Sequence, residues 1–347
     1  MTAAETRLPR PNEVLAVVPA LNEERAIRAC LLSLLEGYAP EAAPQIVVAD
    51  GGSSDRTRAI VAEIARAHKG VRLIDNPARL QSAGLNEAVR ECALPRHRVL
   101  VRADAHAHYP PRYLMDAAEA LHRSGAASVV VPMDSVANGC FARAAAWVVD
   151  TPLGSGGAAH RGGRRSGFVD HGHHAAMDLG WFRRIGGYDP LFSHNEDAEF
   201  DHRLRMAGGT IWMEAGLRLD YQMRPSLRAL ARQYWNYGRG RARTVTKHGV
   251  RPRLRQLAPA VNLLLIALGA AVAAAGALVG SGAALAFGLA WPALYAGVLL
   301  GVSVAAALSM RSLCGLWAGP ALGAMHLPWG AGFLTGLWTY SRQGGAR

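Results

Sequence analysis

Between residues 14 and 131, short apolar runs trade places with stretches whose apolar residues fall at helical spacing. The runs VLAVV (Val14–Val18), QIVVA (Gln45–Ala49), VRLID (Val71–Asp75), RVLVRA (Arg98–Ala103) and ASVVVP (Ala127–Pro132) predict strands. Between the first two, Ile27, Leu31 and Leu34 mark one face of a helix that Asn22 is placed to cap. DRTRAIVAEIARA predicts a second helix, opened by Asp55, and AEFDHRLRMAG a later one that ends at Gly208. Such alternation implies an α/β fold, a mostly parallel sheet with helices on both faces. Ligands of such sheets bind beyond the carboxyl ends of the strands.

The pattern changes in the last third. No Asp, Glu, Lys or Arg occurs from Leu257 to Met310. Two segments separated by Gly280–Gly282, 257–279 and 283–308, are each long enough to cross a bilayer. A third, 312–340, holds Pro320, His326 and Pro328 among many glycines, and either spans or lies partly in the interface. Arg239, Arg241, Arg243, Lys247, Arg251, Arg253 and Arg255 crowd the approach to the first span, which predicts a cytoplasmic N-terminal domain. The expected organisation is a lead (1–12), a soluble domain (13–225), a basic amphipathic segment (226–256) and a membrane region (257–340). The first apolar run is too short for a signal peptide.

The 347 residues carry 38 Lys and Arg against 26 Asp and Glu, a formal charge of +12. The basic cluster beside the spans accounts for much of that excess, so nucleic-acid binding is not expected. Cys30, Cys92, Cys140 and Cys314 are scattered without a C-x-x-C pair, so neither a disulfide framework nor a cysteine zinc site is expected, and a reducing compartment fits.

Three predicted strands run into carboxylate-bearing loops: PALNEE (Pro19–Glu24), DGGSSD (Asp50–Asp55) and DAHAH (Asp104–His108). No G-x-G-x-x-G follows the first strand and no Walker A loop occurs, which disfavours a dinucleotide oxidoreductase and a P-loop enzyme. Asp104, His106 and His108 formally supply three zinc ligands, but Pro110 and Pro111 turn the chain soon afterwards. DHGHHAAMDLGWFRRIGGYD holds His171, His173 and His174 without carboxylate or cysteine partners at familiar metal-site spacing, which disfavours a metal site there.

In order, VVPALNEE, VVADGGSSDRT, NPARLQSAGLNEAV, VRADAHAHYP, IGGYDPLFSHNEDAEFDHRLRMAGG and RQYWNYGRGRART resemble a family 2 glycosyltransferase of the glycosyltransferase-A fold, across roughly residues 12–248. With the apolar tail, the chain is similar to the succinoglycan-type exopolysaccharide glucosyltransferases of bacteria. The resemblance implies a Rossmann-like mixed sheet that binds a nucleotide-sugar. Pro19, Ala20 and Glu23 would line the nucleotide site. Asp50 would accept the uracil imide N–H, although a glycine turn alone also explains its motif. Arg79 would face the nucleotide or its phosphates, or else be a solvated surface arginine. Asp104 and His106 fill the first and third positions of the D-x-D metal motif. The histidine is a departure that shifts the expected Mg²⁺ or Mn²⁺ toward Mn²⁺, and His108 becomes a bystander packed under Tyr109 and Pro110.

Asp197 matches the family's catalytic base, with Glu196 in a supporting or acceptor role; the alternative is that both only serve the helix dipole. Gln233, Trp235 and Arg239 match the family's Q-x-x-R-W region loosely, since the tryptophan comes early and Asn236 takes the usual arginine position. The same segment also reads as an amphipathic helix on a membrane, with Leu227, Leu230, Ala231 and Tyr234 on its apolar face.

The resulting expectation is a multi-pass inner-membrane, inverting, metal-dependent enzyme. It would move a hexose, glucose first, from a UDP-sugar to a lipid-linked saccharide, with other polysaccharide-assembly proteins as partners. The alternatives are a processive polysaccharide synthase and a non-catalytic glycosyltransferase-like scaffold.

Overall fold

The computed structural model describes residues 7–39, 41–156 and 163–344. The chain divides into two compact units, Met1–Asp134 with Gly162–Tyr221, and Ser135–Arg161 with Gln222–Arg347.

The chain opens β1 (Val14–Ala20), α1 (Ile27–Leu35), β2 (Gln45–Asp50), α2 (Thr57–Ala67), β3 (Val71–Asp75), α3 (Gln81–Cys92), β4 (Val99–Arg102), α4 (Tyr113–Ser124) and β5 (Ser128–Val131). Each expected strand in this region is present: β1 and the Ile46–Ala49 run of β2 are apolar because both of their faces are covered. Val14, Ala16, Val18, Ile46 and Val48 pack with residues of α1, α2 and α4, whereas Leu15, Val17, Val47 and Ala49 pack with α3 on the other side.

After β6 (Met133–Val136), the helices α5 (Cys140–Val149) and α6 (Pro152–Ser155) belong to the second unit. The chain returns to the first unit with β7 (Gly167–Phe168), β8 (His173–Asp178), α7 (Leu179–Arg184), α8 (Glu196–Met206), β9 (Ile211–Met213) and β10 (Leu219–Gln222). The main sheet runs β3-β2-β1-β4-β8-β5-β9-β7, and β6 pairs with β10 separately. β1, β2, β3 and β4 are parallel, but β8 is inserted antiparallel between β4 and β5. The sequence pattern did not predict this strand. Its inverted direction brings its first residues to the edge where β1, β2 and β4 end.

The second unit continues with α9 (Leu227–His248), α10 (Leu254–Leu278), α11 (Gly282–Ser309), a 3-10 turn (Leu313–Trp317) and α12 (Ala318–Gly344). Among the described residues, α10 and α11 are the two helices long and apolar enough to cross a membrane. The third apolar stretch forms the turn and α12, whose glycine face is buried against α9. A Cβ added at Gly332 would lie 2.2 Å from the Trp235 carbonyl oxygen, and one at Gly238 would lie 2.2 Å from that of Trp329. Small residues let these two backbones approach in the manner of packed membrane helices. Of the expected lipid-facing residues of α9, Leu230 is fully buried and Leu227 is exposed.

The cysteine expectation needs correction: Cys140 and Cys314 form a disulfide joining α5 to the 3-10 turn, 174 residues apart in sequence. Distance along the chain says nothing about distance in space, and the second unit brings both segments together. Cys30 and Cys92 are buried thiols.

The α9–α12 contact predicts that Gly332→Val destabilises the protein by roughly 1–3 kcal/mol through overpacking. Gly297→Val, which would meet nothing within 4 Å, should leave stability unchanged. Thermal unfolding in detergent compares the two; equal Tm values would show that the contact carries no weight.

Candidate active site

On the nucleotide side, β1 and β2 end in register, Ala20 against Asp50, and the Gly51 amide donates to the Ala20 carbonyl at 2.8 Å. Pro19 is half-buried and Ala20 buried at this strand end. Asp50 is completely buried. Its Oδ2 accepts from the amides of Gly52 and Ser53 and from Arg58 at 2.8 Å, while Oδ1 accepts the Ser53 hydroxyl. Burial pushes this carboxyl up, but Ser53 and Arg58 outweigh it and hold it below the usual range. Arg58 also reaches Asp75 at 2.7 Å, so one cation serves carboxylates that sit opposite each other on β2 and β3.

Asn22 does not cap α1. It adopts a left-handed conformation, φ 57°, and its side-chain oxygen accepts from the Ser54 amide at 2.8 Å, clasping the first two loops together. Asp55 accepts from Thr57 at the start of α2, as expected, and also from the Glu24 amide. Arg79 is exposed, at φ 58°, with its Cα 3.4 Å from where a Cβ on Gly51 would stand.

The centre of the site is a residue that the sequence reading missed. Arg102, the last residue of β4, has a side chain only 4% exposed. It pairs closely with Asp197, and lies 3.6 Å from Asp104 and 3.8 Å from Glu196. A buried cation is tolerated only when counter-charges replace its water, and here three carboxylates do so. Burial pushes Asp197 up, but Arg102, then His174 and His173, hold it below the usual carboxylate range. Asp104 is likewise held down against burial by Arg102 and His173, and it accepts a hydrogen bond from Gln81 at 3.0 Å. Glu196 differs: burial, then repulsion from Asp197, pushes it up to about 7 despite Arg102. The signal available in sequence was an arginine inside an apolar strand run, two residues before a carboxylate.

The histidine segment also has partners, contributed by other elements. His173 lies 3.5 Å from Asp104. His174 is fully buried; its Nε2 meets Asp201 at 2.7 Å, and its Nδ1 lies 3.5 Å from Asp197 and in close contact with the Tyr188 hydroxyl. His171 Nδ1 meets the other Asp201 oxygen at 2.7 Å. A register shift between Val129 and Val130, opposite this part of β8, re-aims the strand. The Gly186–Gly187 turn, both at positive φ, leads to Tyr188, whose amide donates to Asn86 at 2.9 Å. Asn195, at φ 65°, immediately precedes Glu196, and its amide nitrogen is buried without a hydrogen-bond partner among the described residues.

His106 is exposed, and its Nδ1 lies 3.3 Å from Glu23. This contact joins the first and fourth strand loops. His108 is exposed rather than packed under Tyr109; it lines a shallow depression with Ala29, Leu32 and His68 on the α1 side. Among the described residues, no three His, Cys, Asp or Glu form a metal-holding group. Asp104 and His106 thus offer two donors. That set does not fit a closed zinc site; a divalent ion held there would have to take its remaining ligands from phosphate and water.

Gln233, Trp235 and Arg239 lie on α9 in the second unit, outside the cluster just described. Gln233 donates to the Tyr237 hydroxyl at 2.9 Å, and the backbones of Trp235 and Arg239 face the glycines of α12.

The sequence profile described as "Glycosyl transferase family 2" matches residues 15–186. The chain is 41% identical over 329 residues to the "Succinoglycan biosynthesis protein ExoA" of Rhizobium meliloti (strain 1021), covering 95% of this chain and 96% of that one. A more distant relative from Methanococcus voltae, a "Dolichyl N-acetyl-alpha-D-glucosaminyl phosphate 3-beta-D-2,3-diacetamido-2,3-dideoxy-beta-D-glucuronosyltransferase", is 22% identical over 68% of this chain and 75% of its own. The fold is similar to a mannosyltransferase from Pyrobaculum calidifontis solved with GDP-Man and Mn²⁺, with a TM-score of 0.57, 20% identity, and coverage of 96% and 89% of the two chains. The chain belongs to glycosyl transferase family 2 and is a glycosyltransferase of the glycosyltransferase-A fold.

Proposed function

We propose that the protein is a membrane-bound, inverting glycosyltransferase. It moves a hexose, glucose first among candidates, from a UDP-sugar to a lipid-linked saccharide on the cytoplasmic face during exopolysaccharide assembly. The observation that carries this reading is Asp197: an ionised carboxylate at the start of α8, held by Arg102 beside Asp104. A carboxylate so placed can take a proton from a hydroxyl as that oxygen attacks. The name of the Rhizobium relative supports the pathway, and the dolichyl phosphate in the name of the archaeal relative supports a lipid-linked acceptor. The apolar helices α10 and α11 support attachment to a membrane.

In this reading Pro19, Ala20, Glu23, Asp50 and Arg79 line the nucleotide; Asp50 is completely buried, so the loop of Gly51–Ser53 would have to shift for its Oδ1 to meet an imide N–H. Asp104 and His106 would hold a divalent cation, which when bound neutralises charge on the departing diphosphate. The acceptor oxygen bonds the anomeric carbon, the bond from that carbon to the diphosphate breaks, and Asp197 receives the hydroxyl proton. The unpaired Asn195 amide is a donor for a sugar hydroxyl beside the base. Gln233, Trp235 and Arg239 on α9 would serve the acceptor.

Purified protein with UDP-glucose and Mn²⁺ should release UDP, and release it faster with a lipid-linked acceptor. Asp197→Asn should lower transfer by about 10²-fold or more while UDP binding persists. Normal transfer by this variant would remove Asp197 from its role, and failure of UDP-, GDP- and dTDP-sugars alike to bind would remove the donor reading. Exchanging Mg²⁺ for Mn²⁺ in a His106→Asp variant tests the ligand: the variant should lose preference for Mn²⁺.

Glu196 gives a pH prediction for stability. Its folded value of about 7 lies above the ordinary 4.5, so between the two the folded protein holds a proton that the unfolded chain has lost. Stability from this group therefore falls as pH rises toward about 7. Glu196→Gln removes the effect, so its Tm relative to the parent should rise from about pH 5 to about pH 8. A constant difference would mean that Glu196 titrates normally.

A further inference from the structure

We propose that His174 acts through Asp197 as the proton store of the reaction, receiving at Nδ1 the proton that Asp197 removes from the acceptor. The inference rests on the reading of Asp197 as base. Its geometry is a buried line: Asp197 Oδ1 to His174 Nδ1 at 3.5 Å, His174 Nε2 to Asp201 Oδ1 at 2.7 Å, and Asp201 Oδ2 to His171 Nδ1 at 2.7 Å. His174 and Asp201 have side chains 0% and 1% exposed, and this pairing of a buried imidazole with a buried carboxylate is not needed to hold β8 in the sheet, whose backbone ladder does that. With Nε2 donating to Asp201, Nδ1 is the accepting nitrogen; in the resting site the Tyr188 hydroxyl donates to it, and that hydroxyl has to turn and accept once Nδ1 takes the proton from Asp197, 3.5 Å away.

Charged, titratable and aromatic groups reach His174 from several elements. α8 contributes Asp197, Asp201 and the edge-on ring of Phe200, 5.2 Å away. The turn before α8 contributes Tyr188, whose hydroxyl touches Nδ1. Arg102 of β4 and His173 of the same strand add positive or potentially positive charge. Burial lowers the His174 value, but Asp201 and then Asp197 outweigh burial and Arg102, so its net shift is upward. Asp197, held down by Arg102, is a weak sink for a proton, and the imidazole beside it is a stronger one.

The step balances. The acceptor O–H bond breaks, its oxygen bonds the anomeric carbon, and the diphosphate leaves with the electrons of the broken bond. The proton passes through Asp197 to Nδ1, and the imidazolium formed is neutralised by Asp201. After the products leave, the proton returns through Asp197, whose side chain is 17% exposed, to water. The competent resting enzyme therefore has neutral His174, and the rate falls as pH drops through the range where His174 protonates.

The pH dependence of kcat for sugar transfer by the full-length protein tests this, and two variants should move it in opposite directions. Asp201→Asn removes the anion that favours imidazolium, so the acid limb should move down by about one pH unit. His171→Gln, at a partly exposed position, frees Asp201 to act wholly on His174, so the limb should move up. A purely structural role would lower the rate at every pH and leave the limb in place, and that result for both variants overturns the proposal. Should Asp201→Asn fail to fold, the upward shift of His171→Gln decides alone. Asp197→Asn separates the two readings. If it transfers normally, the base assignment fails. If it is inactive while the limbs of the other two variants match the parent, only the role of His174 fails.

Discussion

Burial of the Arg102 guanidinium is the constraint around which the first unit is arranged. A charge at the end of a central strand loses its water and has to find that solvation among protein groups. Asp104 comes from the loop just beyond the same strand, and Glu196 and Asp197 come from the start of α8 more than ninety residues later. The first turn of α8 thus supplies two of the three carboxylates that surround this cation. The carboxylates are not equivalent as a result. Asp197 takes the closest contact and stays ionised, whereas Glu196, farther away and next to another negative charge, is driven toward its protonated form.

This charge count also bears on the donor. Under the proposed function, Arg102 balances one of the two carboxylates held ionised, Asp104 and Asp197, and the remaining charge is negative where the donor's diphosphate would lie. Two negative groups brought together in a poorly solvated cleft repel strongly. A divalent ion between them would reverse the sign of that interaction, which is the physical argument for the proposed cation at Asp104 and His106.

Much of the sheet was legible in the sequence because its strands are buried on both faces and their apolar runs are unbroken, as in Val14–Val18 and Gln45–Ala49. The helix α8 was legible for the same local reasons, although it begins at Glu196, before the expected run, and ends at Met206, with Gly208 at φ 90° just beyond. The hidden features are those whose meaning lies in a distant partner. His173 and His174 looked unaccompanied because Asp104, Asp197 and Asp201 reach them from other elements, and β8 itself begins with polar residues that mask a strand. Arg102 looked like a strand-end arginine until α8 enclosed it. Cys140 and Cys314 looked scattered for the same reason.

The second unit shows a related division of labour on one helix. Of the α9 face that a sequence pattern assigns to lipid, Leu230 is buried, Ala231 and Tyr234 are half-buried and Leu227 is exposed; further along, Gly238 and Ala242 are buried and the glycines of α12 close against the backbone. Besides Leu227, α9 leaves charge outward: Arg228, Arg232, Arg239 and Lys247 are exposed. Under the proposed membrane attachment, α9 would therefore meet headgroups through these cations, each worth about 1 kcal/mol near an anionic surface, and not through buried apolar area. That contact weakens with salt over a Debye length, while the apolar anchorage of α10 and α11 does not. Charge on α9 would then orient the protein at the surface, and the spanning helices would hold it there.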